Sequence, residues 1–179
     1  MRTRGGGAPD AAQPWHEIVP GLWMGGHYYE DADGRPAPAI VSDEFDAVIS
    51  LHREDGHGPA AHVEHHYADL PDGPLTAGQL ETVCLLAETA VDAVRDGRRV
   101  LVRCHSGYNR SGLVVAQSLI GMGYSAEDAV FLVRYRRSRW ALNNHMFVDY
   151  LTTGLDVARL LNALDLTGLD TLPQDGDPA

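Results

Sequence analysis

The sequence predicts a single α/β domain built on a central, mostly parallel sheet flanked by helices. Three observations carry this expectation. Short apolar runs of strand length alternate with longer stretches whose apolar residues recur every three or four positions, the order that builds strand–helix–strand units. The run Val100-Leu101-Val102 leads through a short turn into an apolar helix, the arrangement in which functional loops gather at the carboxyl ends of strands. And 179 residues with 44% hydrophobic content suffice for one core but are short for two.

Taken in order, residues 1–14 are rich in Gly, Pro and Ala without periodicity and read as a flexible tail. Strand-like runs follow at Ile18–Met24, Asp46–Leu51 and Val63–Tyr67, with His27–Ala39 expected as an exposed loop between the first two. From Thr76, a plausible N-cap, the residues Leu80, Val83, Cys84, Ala87, Val91 and Val94 mark one face of a helix that stops at Asp96-Gly97. Arg99–Arg103 is the next strand. Ser111 to Gly123 is apolar nearly all round and reads as a buried helix. Another helix starts at Ser125, where Ser-Ala-Glu-Asp has the form of a capping box, and a last one runs from about Asn144 to Leu161. The domain is therefore expected over residues 15–162, with a second flexible tail over 163–179.

Composition narrows the function classes. No apolar stretch reaches the roughly 18 residues of a membrane span, and the N-terminus lacks a signal-peptide core, so a cytoplasmic protein is expected. All 14 basic residues are arginine, against 25 acidic ones, for a formal charge of -11; this disfavours nucleic acid or anionic membrane as a partner. Cys84 lies on the apolar face of a helix and Cys104 ends a strand, and both are read as free thiols. His52, His57, His62, His65 and His66 are irregularly spaced, which argues against a metal site; neither metal nor cofactor is expected. Arg134, Arg136, Arg137 and Arg139 read as a solvated helix end.

The chemistry is expected in the loop Cys104-His105-Ser106-Gly107-Tyr108-Asn109-Arg110, followed by Ser111. Cysteine followed six positions later by arginine is a weak signal alone. Here the pair ends a strand, holds a glycine at its midpoint and opens into a helix. A turn of that kind aims successive backbone N–H groups inward, where they meet the positive end of the helix dipole, and so forms a nest for a tetrahedral dianion. His105, Ser106, Gly107, Tyr108, Asn109 and Arg110 would line it, with the Arg110 fork holding two phosphate oxygens. The field that binds phosphate also favours the thiolate of Cys104, the nucleophile. Attack on phosphorus would give a cysteinyl-phosphate intermediate that water then hydrolyses.

These residues resemble the dual-specificity branch of the protein tyrosine phosphatases. Ile18-Val-Pro-Gly-Leu-Trp-Met-Gly25 looks like the family's opening hairpin and Phe45-Asp-Ala-Val-Ile-Ser-Leu51 like its next strand. Leu101 to Ser111 matches the signature loop, and Ala141-Leu-Asn-Asn-His-Met-Phe147 resembles the segment opening the final helix. The resemblance implies the phosphotyrosine phosphatase-like fold and hydrolysis of phosphate monoesters in proteins or small molecules, with phosphotyrosine and also phosphoserine or phosphothreonine as the substrate class. It implies a general acid on the loop Asp69-Leu-Pro-Asp72-Gly-Pro; Asp72, 32 residues before Cys104, is favoured and Asp69 is the alternative. It gives Ser111 the role of a hydrogen-bond donor to the departing sulfur. One departure stands out: the family usually has His before the nucleophile, and this chain has Arg103, which if buried calls for an acidic partner. Two other readings use the same loop, a catalytically silent phosphate-binding module and a phosphoinositide phosphatase. The second is weakened because the loop has no lysine.

Overall fold

The computed structural model describes residues 8, 9 and 11–168. Five strands form the main sheet: β1 (Trp15–Val19), β2 (Leu22–Gly26), β5 (Ala47–Ser50), β6 (Glu64–Tyr67) and β7 (Val100–Cys104), in the spatial order β1-β2-β7-β5-β6. Only β1 runs antiparallel, paired with β2 through the Pro20-Gly21 turn; every other neighbour is parallel. β7 thus lies at the centre, and its carboxyl end leads into the expected loop.

Alternation along β7 assigns each residue a side. Val100, Val102 and Cys104 face the main core, where they meet α1 (Ala77–Arg95) and α2 (Arg110–Gly121) through residues such as Leu80, Val83, Leu113 and Val114. Leu101 faces a smaller cluster with Val41, Phe45 and Val48, against which Trp15 and Trp23 pack. α1 begins where the sequence places it: Thr76 Oγ1 accepts from the Gln79 N–H and Gln79 Oε1 accepts from the Thr76 N–H, a reciprocal capping box. α3 (Ala126–Arg136) is likewise capped by Ser125.

Three expectations are corrected. His27–Ala39 is not simply an exposed loop, because Tyr28–Glu30 (β3) and Pro36–Pro38 (β4) pair as an antiparallel ribbon whose flanks, His27 and Ala39, are buried. The final helix is two: Gly154, at φ 92°, breaks it into α4 (His145–Thr153) and α5 (Leu155–Gly168). The segment read as an N-terminal tail is docked where it is described. Ala8 and Ala11 are buried, the Ala11 carbonyl accepts from the Glu30 N–H and the Pro14 carbonyl from the Gly26 N–H. Of the second tail, residues up to Gly168 continue α5, while 1–7, 10 and 169–179 lie outside the described residues. None of the helices described is long and apolar enough to cross a membrane.

Candidate active site

The loop between β7 and α2 is shaped by close backbone packing. Gly107 has φ +69°, and a Cβ there would sit 2.4 Å from the Gly25 carbonyl at the end of β2. Only glycine allows both the left-handed turn and that approach. The His27 N–H donates to the His105 carbonyl at 2.9 Å, tying the other side of the loop to the β2–β3 connection. Cys104 is 2% exposed at its base, with Sγ 3.4 Å from the Ser111 hydroxyl on the first turn of α2. Ser111, expected beside the sulfur, is there. Arg110 Nη1 donates to the carbonyls of Leu51 (3.3 Å) and Leu70 (3.2 Å), so its side chain spans from the end of β5 to the acid loop.

Of the two candidate acids, Asp72 is joined directly to the phosphate loop. Its carboxylate accepts from Asn109 Nδ2 at 3.0 Å and from Asn144 Nδ2 at 3.1 Å. Asn109 in turn accepts from the Asn144 N–H and donates to Asn143 Oδ1 at 2.8 Å. Loop, acid segment and the start of α4 therefore form one polar network. The far end of the acid segment is held at Leu75, whose N–H donates to the Tyr150 hydroxyl and whose carbonyl accepts from Asn162. Asn143 and Asn144 had no assigned role in the sequence; Asn144 caps α4 through Met146, and capping is the ordinary reading of such a residue.

The predicted lining residues divide by what their side chains do. Tyr108 turns into the interior, 5% exposed, and its hydroxyl donates to the Pro9 carbonyl at 2.7 Å. It can offer a ligand only its backbone. The Asn109 side chain is taken up by the acid network. His105 and Ser106 are half-buried at the loop's rim, with Nδ1 and Oγ 3.3 Å apart.

Two arginines differ from expectation. Arg103 is 1% exposed and has no acidic partner among the described residues; it donates instead to Ser50 Oγ (2.9 Å) and to the carbonyls of His57 (3.0 Å) and Gly58 (2.6 Å). Three neutral oxygens satisfy the guanidinium, and pleating sends it to the face of β7 opposite Cys104. Burial lowers its pKa to about 10, leaving it cationic at neutral pH. Of the basic cluster at the end of α3, Arg136 and Arg139 are exposed as expected, whereas Arg137 and Arg134 are not free. Arg137 is 4% exposed and reaches under the loop to the Gly107 carbonyl at 3.1 Å, the Gln13 carbonyl and His16 Nδ1. Burial pulls its pKa down to about 10, partly opposed by Tyr108 and the Cys104 sulfur, so it adds a fixed positive charge beneath the nucleophile. Arg134 is occupied by the carbonyls of Ala141 and Leu142.

Of the five histidines set aside in the sequence, His52 and His57 gather with His27 and His105. His27, His52, His57, His105 and Tyr28 contact one another ring to ring at centroid distances of 5.2–6.0 Å. Glu54 lies among them, its carboxyl held below the usual range by the Tyr28 hydroxyl and the neighbouring imidazoles, against the opposing effect of burial.

No protein-family model and no curated protein sequence matches the chain. Solved structures do. Human DUSP28 superposes with a TM-score of 0.60 at 22% identity, over 83% of this chain and 99% of that one. OH1 from the Orf virus, described as a tyrosine phosphatase with triple substrate specificity, gives 0.57 at 16%, over 83% and 90%. A human tyrosine phosphatase-like serine/threonine/tyrosine-interacting protein gives 0.53 at 20%, over 86% and 97%. The chain has the fold of the dual-specificity and tyrosine phosphatases.

Proposed function

We propose that the protein is a cysteine-dependent phosphatase acting on phosphate monoesters, with phosphotyrosine in proteins as the principal substrate class and phosphoserine and phosphothreonine open to the same chemistry. The observation that carries this reading is the convergence of Cys104, Ser111, Arg110 and Asp72 on one glycine-shaped loop. Cys104 Sγ attacks phosphorus as the bond to the leaving oxygen breaks, and Asp72 delivers a proton to that oxygen. Backbone N–H groups of residues 105–110 and the Arg110 fork stabilise the charge that develops on the phosphoryl oxygens. In the second step Asp72 takes a proton from water, water oxygen bonds to phosphorus and the sulfur departs, assisted by the Ser111 hydroxyl. Protein, substrate and water supply every group these steps require.

Hydrolysis of an aryl phosphate by the wild type and by Cys104→Ser tests this, with orthovanadate as a competing oxyanion. Turnover that vanishes in Cys104→Ser and is inhibited by vanadate is expected. Turnover independent of Cys104, or none in the wild type, would overturn it. A second reading, a silent phosphate-binding module, draws on Arg110, whose Nη1 bonds the Leu51 and Leu70 carbonyls and must release them to form a fork. Vanadate binding without turnover is its signature. A phosphoinositide substrate finds less support, since the loop holds no lysine and, among the described residues, Arg110 and Arg137 beside it are bonded to backbone carbonyls.

A further inference from the structure

The topology that builds the phosphate loop also brings a second group of donors to its edge. β5 and β7 are parallel neighbours with Ser50 opposite Arg103, and the Leu51 N–H continues the ladder to the Arg103 carbonyl at 2.8 Å. The residues that follow each strand, His52 to Glu54 on one side and His105 on the other, therefore emerge side by side. One ligand atom from each of His52, Glu54 and His105 lies within 4.8 Å of the other two, and all three side chains are half-buried. His52 Nε2 and Glu54 Oε2 are 3.7 Å apart, close to the separation of about 3.4 Å that tetrahedral geometry imposes on zinc ligands.

We propose that His52, Glu54 and His105 form a site for Zn²⁺ on the flank of the phosphate loop, with the fourth tetrahedral position open. The donor set decides the class of ion. Two imidazoles and one carboxylate suit zinc, whereas calcium and magnesium take predominantly oxygen ligands. The surroundings act as an outer sphere. Tyr28 hydrogen-bonds the Glu54 carboxylate, Ser106 Oγ contacts His105 Nδ1 at 3.3 Å, and the His52 carbonyl is engaged by His27 Nε2 at 3.0 Å. A bound ion would join the end of β5 to the residue following the nucleophile. Nothing in the proposed phosphatase chemistry requires it.

Zinc titration of full-length Cys104→Ser, followed by competition with a chromophoric chelator, tests the site, because that background removes the thiolate as a rival ligand and does not depend on catalysis. One equivalent is expected to bind and to raise the thermal unfolding midpoint. Glu54→Gln and His52→Ala, each added to that background, should weaken binding by roughly 10–100-fold, while His66→Ala, at the exposed His66–Glu64 pair, should leave it unchanged. Glu54→Gln preserves shape on a half-exposed loop side chain, so it decides the matter even if His52→Ala does not fold. Absence of binding, unchanged affinity in Glu54→Gln, or loss in His66→Ala would each overturn the proposal. The outcome is separate from the phosphatase reading, which stands or falls on Cys104-dependent turnover.

Discussion

Arg103 and Asp72 show how much the role of a residue depends on which side of the backbone it leaves. Arg103 is adjacent to the nucleophile in sequence yet on the opposite face of the sheet, where it satisfies three oxygens. Removing it strands buried acceptors, each costing about 1–3 kcal/mol when left without a partner. Arg103→Ala is thus expected to lower the unfolding free energy by roughly 2–4 kcal/mol in urea denaturation. Asp72 is distant in sequence yet bonded to the loop through Asn109 and Asn144, whereas Asp69 has no such tie to it among the hydrogen bonds described. Protonation of a leaving group by a positioned acid is worth about 10²–10⁴ in rate. Asp72→Asn should lower kcat on a poor leaving group by that factor, and Asp69→Asn by much less. The reverse ranking in steady-state kinetics would reassign the acid.

At the level of elements, the phosphate loop is held by what lies beneath it. Gly107 carries the turn, Arg137 supports its carbonyl, and the strap that includes Pro9 and Gln13 accepts from Tyr108 and Arg137. Gly107→Ala meets both a left-handed φ and a 2.4 Å contact with backbone, for a cost of at least about 1–3 kcal/mol. It is expected to abolish vanadate binding in calorimetry before it unfolds the domain. Deletion of residues 1–14 should lower stability by about 4 kcal/mol, through the four hydrogen bonds lost at the Pro9, Ala11, Gln13 and Pro14 carbonyls at roughly 1 kcal/mol each, as read by thermal unfolding. The elements themselves were largely legible in the sequence, because the periodicity of α1, its Thr76 cap and the apolar run of β7 are local signals. The strap was not. Its binding rests on backbone carbonyls at Pro9 and Gln13 that meet side chains 99 and 124 residues away, and a Gly/Pro-rich composition carries no trace of that. For the same reason the loop was readable from Cys104 to Ser111, while Asn144, Arg137 and the His52–Glu54–His105 group became visible only once parallel strands and helix ends were brought together.

At the scale of the whole molecule, a net charge of -11 is set against two arginines buried among the described residues, Arg103 and Arg137, and histidines near them are pressed towards neutrality. Burial is the largest cause for His27, followed by the Arg103 charge, and its pKa falls to about 4. Burial likewise lowers His16, next to Arg137, and His65, next to Arg103. The sign follows from linkage: near pH 5 the unfolded chain binds protons at these imidazoles that the folded chain refuses, so acidification favours unfolding. His27 contributes stability that is fully present above about pH 6.5, is lost progressively as the pH falls towards 4, and changes no further once both states are protonated. A displacement of about two and a half units corresponds to roughly 3 kcal/mol at most. Carboxyls with lowered values, Glu54, Glu64 and Asp46, withdraw their contributions at lower pH still and in the same direction. Unfolding free energy measured in urea from pH 7.5 to 4 should therefore decline steadily, with the slope beginning in the histidine range rather than the carboxylate range. His27→Gln, uncharged at every pH, should flatten the section between 6.5 and 4.5; a decline that starts only below 4.5 in the wild type would show that these histidines do not govern acid stability.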